Sequence, residues 1–400
     1  MIVIENASEI LTIPKGKSGP KKGKEMRDLG IIRNKNIWIE NGRIAKISSS
    51  LPGEKYEKID ASNKVVLPAF VDSHTHPVFS GYRDFELSQK LQGYTYNEIL
   101  ERGGGIYYTV EKTMNASDSQ IIEESSERIK NMIQYGTLSA DAKSGYGIEV
   151  EQEIRLLKII KILGEKYPID LVPTYLVHII PRNTDEDEYI DKIISRLKEI
   201  RELSENIDIF CDKGAFSLKG SYKFLRAAEL FNFKLKIHAD EIGYIGCSSL
   251  IENFDFLTMD HLLKTPEINI KKMAEKGTIA VLLPGTSFTL MQGEYADARK
   301  FIKNNVPVAL GTDLNPNCYT ENMQEIISLS IFNMKMTVEE AISASTLNAA
   351  YAIGRGNEIG SIEPGKYANI LIADIPSYTH FGYHFGINLI EKRIKNGIEI

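Results

Sequence analysis

The chain has 400 residues, 42% of them hydrophobic and 26% charged, with a net charge of −6. This is the composition of an ordinary soluble globular protein, long enough for a barrel-sized core and a smaller appendage. The acidic balance argues against general nucleic-acid binding, which needs a basic face, and no run approaches the ~18 apolar residues of a membrane span. Cys211, Cys247 and Cys318 are odd in number and widely spaced. They predict no disulfide framework and a reducing compartment. The opening MIVIENASEI lacks a basic region followed by an apolar stretch, so no signal peptide is expected and the predicted location is cytoplasmic.

In chain order, residues 1–64 alternate short β-like pieces with turns. NIWIENGRIAKI predicts a hairpin turning at Asn41-Gly42. GKSGPKKGK (16–24) is basic and glycine-rich, but the phosphate-loop spacing fails: no glycine stands five before Gly16, and Lys24 precedes Glu25 rather than Ser or Thr. It reads as a surface loop. From Val65 the pattern becomes strand then helix, repeated, with strands expected at 65–73, 137–143, 170–177, 207–211, 234–238, 255–259, 278–283 and 306–311. Stretches such as SQIIEESSERIKNMIQY and EIRLLKIIKIL between them carry apolar residues at helical spacing. The fold class is therefore α/β, a (β/α)₈ TIM-like barrel over 65–356, with a small β-sandwich domain formed from the N- and C-terminal segments, 1–64 and 357–400. The gap from 77 to 118 is too long for a minimal repeat and is expected to be a loop over the barrel mouth.

Polar residues at strand ends carry the functional signal. His74 and His76 end the first run, two apart and so on the same side of a strand. His238 ends the fifth, Glu241 lies just past it, His261 ends the sixth and Asp313 follows the eighth. Singly, each reads as a cap or a satisfied strand-end residue. Jointly, they fall on the one face where such barrels do chemistry. His74, His76, His238 and Asp313 are the expected ligands of one metal with an open position for water. His261 and Glu241, with Asp313, are the expected proton-handling groups. A two-metal arrangement would need a bridging lysine, for which Lys213 and Lys143 are the candidates; one metal is favoured.

VDSHTHPVFSGYRDFE, LERGGGIYYTV, SADAKSGYG, HADE and GTDLNP together resemble the amidohydrolase superfamily, and within it the imidazolonepropionase family, nearly end to end. HTH and HADE mark only the superfamily; GYRDFE, GGGIYYTV and KSGYG narrow the match. The resemblance implies hydrolysis of the cyclic amide of 4-imidazolone-5-propanoate to N-formimidoyl-L-glutamate in histidine breakdown. It implies one divalent or trivalent ion per chain, zinc or iron, held by His74, His76, His238 and Asp313. It implies that Arg83 holds the substrate carboxylate, that Tyr146, His178 and Glu241 contact the substrate, and that Asn315 and Asn317 lie where the product is held. A homodimer is expected on the same ground, with a small anionic molecule as partner and neither nucleic acid nor membrane. Each role has its own physical sense: a guanidinium fork suits a carboxylate, and a histidine such as His178 can donate to a developing oxyanion. Asn317 and Cys318 depart from the family pattern, where many members carry Gly and then Ser or Thr. A deaminase of a heterocyclic base would share the ligands, Glu241 and His261, but has no need of Arg83. A non-catalytic barrel that binds partners would typically have lost ligands, and here the set is complete.

Overall fold

The computed structural model describes the whole chain except Glu54, Thr95 and Gln292 and the side chains of Tyr96 and Asn97. Eight strands pair in one sheet in chain order, each parallel to the next. They are β1 Phe70–Thr75, β2 Thr137–Lys143, β3 Asp170–Val177, β4 Asn206–Cys211, β5 Lys234–Ala239, β6 Phe256–His261, β7 Ile279–Leu282 and β8 Val308–Leu310. The sheet closes at the β8–β1 seam, where the Asp313 N–H donates to His74 O (2.9 Å) and the His76 N–H to Leu314 O (2.8 Å). The buried Asp72 carboxylate adds to that seam by accepting from the Thr312 N–H (2.9 Å) and Oγ1 (2.6 Å). Closure thus draws two expected site residues, His74 and Asp313, together through the backbone.

Helices cover the outside of the sheet. Asp118–Gln134 starts at Ser117, whose hydroxyl accepts from the Gln120 N–H at 3.2 Å, and it buries Ile121, Ile129 and Met132. Ala140, Ala142, Ile237 and Met259 join the apolar cluster those helices complete. The alternate positions of β1, β2 and β5 are polar: Asp72 and His74 on β1, Asp141 and Lys143 on β2, Lys236 and His238 on β5. All six are buried. Period-two alternation therefore places a polar column inside the barrel and an apolar layer outside it.

The N-terminal segment forms a further sheet of four strands, and both termini contribute to another of six. These share a core that includes Ile4, Ile10, Ile37, Val66 and Ile370. The Asn41-Gly42 hairpin is present between Asn36–Glu40 and Arg43–Ser48, with φ of 50° and 76° at its two turn residues.

Four expectations need correction. The run 65–73 is not one barrel strand: Val65–Pro68 pairs antiparallel with Ile370–Ala373 and parallel with Glu9–Leu11, outside the barrel. Pro68 has no N–H to continue a ladder, and the chain changes sheets there. The 77–118 segment is not a bare loop; it carries helices at Phe85–Leu91, Tyr96–Glu101 and Ile106–Asn115. Within the basic stretch 16–24, Lys21 is buried; its N–H donates to Asn348 Oδ1 at 2.7 Å, docking the segment on the barrel. Finally, Cys211 and Cys247 form a disulfide, leaving Cys318 as the free cysteine. Cys211 ends β4 and Cys247 follows the neighbouring strand β5, a proximity that a separation of 36 residues conceals, so the cysteines do not argue for a reducing compartment.

Candidate active site

At the C-terminal mouth the imidazoles of His74 and His238 stand with centroids 4.5 Å apart, and those of His238 and His261 5.2 Å apart. Asp313 Oδ1 lies 3.5 Å from His74 Nε2 and 3.4 Å from His76 Nε2, while its other oxygen accepts from Thr286 Oγ1. Ligand atoms of His74, His76 and Asp313 fall within 4.8 Å of one another, as do those of His74, His238 and His261. His74 Nδ1 is 2.6 Å from Asp260 and His238 Nδ1 is 3.1 Å from Asp208. A carboxylate only accepts, so each Nδ1 carries the proton and each Nε2 is a bare lone pair. His74 Nε2 and His76 Nδ1 find no hydrogen-bond partner among the described residues. Buried imidazoles gathered about a carboxylate, with nitrogens that no donor satisfies, are what a metal ion would complete. The donor set fits one.

The backbone is bent to build this arrangement. Asp240, His261, Leu262 and Asp313 all have φ between 49° and 72°, a region costing non-glycine residues about 1 kcal/mol or more each. Such strain at the ends of β5, β6 and β8 aims side chains into the mouth. Glu241 sits in a loop whose N–H groups at 241, 242 and 243 all donate to the Asp212 carboxylate, at 2.6, 3.1 and 2.9 Å. Its own Oε2 is 3.6 Å from His261 Nδ1. Burial, and then the carboxylates of Asp313 and Asp212, push the Glu241 carboxyl well above its ordinary range. Burial lowers His261 to about 3. For Asp313, burial acts upward but is outweighed by His76, His261 and Thr286, so its carboxyl is held low.

The Amidohydrolase family matches residues 65–397. The chain is 44% identical over 407 residues to an imidazolonepropionase of Alkaliphilus oremlandii, spanning 98% of this chain and 96% of that one. It is 42% identical over 405 residues to an imidazolonepropionase of Bacillus velezensis, spanning 99% and 96%. The chain belongs to the amidohydrolase family, in its imidazolonepropionase branch. Among solved structures, an adenosine deaminase from Xanthomonas campestris superposes with a TM-score of 0.76 at 16% identity, covering 100% of this chain and 92% of that one. The E. coli guanine deaminase gives 0.73 at 15%, covering 100% and 98%. At such identities they show the barrel fold alone.

The family motif KSGYG forms a turn after β2. Glu153 accepts from the N–H groups of Gly145 (2.6 Å), Gly147 (2.7 Å) and Ile148 (2.7 Å), and so folds the turn around Tyr146. The Tyr146 ring lies 5.8 Å from His76 and 5.6 Å from His178. A Cβ at Gly147 would come within 2.6 Å of backbone, so the close approach itself requires glycine there. His178 Nδ1 donates to Gly145 O at 3.1 Å, and burial holds the ring well below its usual pKa. A neutral His178 then presents a bare Nε2, which accepts; the expected donation to an oxyanion does not follow from this geometry.

Arg83 is buried and bound in bidentate fashion by Glu86, Nε to Oε1 and Nη2 to Oε2, both at 2.8 Å. Nη1 is the edge that Glu86 leaves to other partners. Asn315 is spent on its own loop: Oδ1 accepts from the N–H groups of Asn317 (2.8 Å) and Cys318 (3.0 Å), and Nδ2 donates to Asp313 O (2.7 Å). Asn317 Oδ1 accepts from Lys90 Nζ. Lys213 is exposed on the surface and Lys143 is enclosed by three carboxylates, so neither is placed as a bridging lysine. Sequence reading missed Glu153, Glu86, Asp208, Asp260 and Asp212. For Asp208 and Asp260 a signal existed, since each is a charge inside an otherwise apolar strand.

Proposed function

We propose that this chain hydrolyses the cyclic amide bond of 4-imidazolone-5-propanoate, giving N-formimidoyl-L-glutamate, with one zinc or iron ion held by His74, His76, His238 and Asp313. The observation that carries the reading is the meeting of His74, His76, His238 and Asp313 at one mouth, with His74 Nε2 and His76 Nδ1 unpartnered among the described residues, in a chain aligned almost end to end with imidazolonepropionases. When bound, the ion supplies Lewis-acid polarisation of the ring carbonyl and makes water more acidic, toward a pKa of ~7.

The chain's own groups divide the proton work by environment. His261, neutral and 3.6 Å from Glu241, takes the proton lost by the attacking water. Asp313, which meets His74 and His76 at 3.5 and 3.4 Å, is cast as a ligand. Glu241 retains its proton through burial and neighbouring negative charge, and gives it to the ring nitrogen as the C–N bond breaks. Its Oε2 and His261 Nδ1, 3.6 Å apart, are close enough that a small shift on substrate binding joins them into a relay that returns the proton to Glu241. Arg83 offers Nη1 to the propionate, Tyr146 covers the ring, and His178 accepts from a ring N–H. Asn315 shapes the loop past β8, and Asn317 presents its edge beside Lys90 at the charged end. The anionic substrate and a homodimer complete the reading.

The test is spectroscopic loss of the imidazolone, with metal content determined on wild type, Arg83→Ala and His238→Ala. Turnover by wild type, its loss in Arg83→Ala with metal retained, and loss of metal in His238→Ala are expected. A metal-replete wild type that leaves the compound untouched refutes the substrate assignment.

A further inference from the structure

Below the histidines the barrel holds five charged side chains, all buried, that take no part in the chemistry above: Asp141, Lys143, Asp208, Lys236 and Asp260. Lys143 Nζ lies 2.6 Å from Asp208 Oδ2, 2.9 Å from Asp141 Oδ2 and 3.4 Å from Asp260 Oδ2. Lys236 Nζ lies 2.8 Å from the same oxygen of Asp141. Asp208 and Asp260 turn their remaining contacts upward, Asp208 Oδ1 to His238 Nδ1 at 3.1 Å and Asp260 Oδ2 to His74 Nδ1 at 2.6 Å. One ammonium therefore meets three carboxylates, and two of them, Asp208 and Asp260, each hold one imidazole.

We propose that Lys143 is the positioning residue of the metal centre: its ammonium anchors Asp208 and Asp260 as acceptors, so that His238 and His74 keep their protons on Nδ1 and face the ion with Nε2. The proposal rests on the reading of His74 and His238 as ligands. An ammonium has three donors and no acceptor, so it fixes the carboxylates' role as well as their place. Asp208, His238 and Asp260 bring ligand atoms within 4.8 Å of one another, a set that by itself would suit a cation. Lys143 supplies that cation covalently. The lower layer thus carries its positive charge permanently, whether or not a metal is present above it. Replacing Lys143 by methionine leaves the buried Asp208 and Asp260 carboxylates without the ammonium they share, while Asp141 keeps Lys236. Asp208 and Asp260 move apart, and the rings bonded to them turn with them.

The experiment uses the zinc-loaded, full-length chain. The dissociation constant for Zn²⁺ is measured by competition with a chromophoric chelator for wild type, Lys143→Met, Lys213→Met and His238→Ala. The ring nitrogens of ¹⁵N-histidine-labelled protein are read in the same samples. Lys143→Met is expected to weaken zinc binding by roughly 10- to 100-fold and to lose the slowly exchanging Nδ1–H signals of His74 and His238, whereas the exposed Lys213→Met matches wild type. Wild-type affinity with both signals intact in Lys143→Met overturns the proposal. Wild-type affinity in His238→Ala instead overturns the ligand reading beneath it. If Lys143→Met does not fold, the wild-type spectrum decides: protons on Nδ1 of both rings support the clamp, and protons on Nε2 refute it.

Discussion

Glu153→Gln is the sharpest test of how the family turn is held. The wild-type carboxylate takes three backbone N–H groups, with Oε2 on Gly145 and Oε1 on Gly147 and Ile148. Glutamine keeps one oxygen and turns an NH₂ toward at least one of those donors. The loss is one charge-assisted bond, about 1.5–3 kcal/mol, together with a buried N–H left unsatisfied. Part of this is offset because burial alone already disfavours the charge, raising the Glu153 carboxyl above its ordinary range. The net destabilisation is about 2 kcal/mol, a fall in Tm of roughly 2 °C for a chain of this length. The larger consequence is functional, because Tyr146 is carried between the anchored glycines and packs beside His76 and His178. Loosening the turn should lower kcat/KM roughly tenfold, equivalent to ~1.4 kcal/mol of transition-state stabilisation. Metal content should stay at the wild-type level, since Glu153 touches none of the proposed ligands. Thermal melts, steady-state kinetics and metal analysis on one preparation separate these effects. Unchanged Tm and kcat/KM would refute the reasoning, and loss of metal would show that the turn supports the centre rather than the substrate.

Other residues give independent tests. Burial raises Asp72 to about 7, well above an unfolded carboxyl, so its contribution is complete below pH ~4 and is lost as pH rises to 7, at about 1.4 kcal/mol per unit. Urea denaturation of the metal-free chain at pH 5 and pH 7.5 should show a loss of about 3 kcal/mol that Asp72→Asn lacks; parallel profiles for the two proteins would sink the assignment. The Cys211–Cys247 bridge should leave one titratable thiol in the denatured, unreduced chain and three after reduction. Reducing it should cost up to about 4 kcal/mol by the loop-entropy relation, and three thiols at the outset would exclude the bridge. Glu86→Gln removes half of the fork that seats Arg83. KM should rise roughly tenfold with kcat changed little, the pattern for a lost ground-state anchor; an unaltered KM would show that Arg83 needs no such seat.

The eight strands and the mouth residues could be read from sequence because a polar group stands out at the end of an apolar run, as His238 does after KLKI and Asp313 after VALGT. Where that contrast vanishes, the reading fails. VVLPAFV is apolar throughout because Val65–Pro68 and β1 bury both faces, one in the terminal sheets and one in the barrel, so nothing in hydropathy marks the change of sheet. The disulfide was hidden differently: adjacency of β4 and β5 is a property of barrel closure, and no local pattern reports it. The charged interior was hidden by expectation, since barrel cores are usually filled with branched apolar side chains.

Yet those interior charges follow a rule the strands themselves display. Asp72 lies two residues before His74, and Lys236 two before His238, so each polar pair shares one side of its strand. Asp141 and Lys143 repeat the spacing on β2, where no histidine follows. A buried charge is costly unless paired, and on β2 Asp141, 2.9 Å from Lys143 Nζ, meets only part of that need. The pairs must therefore be completed across the barrel, as Lys143 is by Asp208 of β4 and Asp260 of β6. The parity that marks the histidines as inward-facing thus also identifies the layer that holds them, and in this chain that layer is ionic.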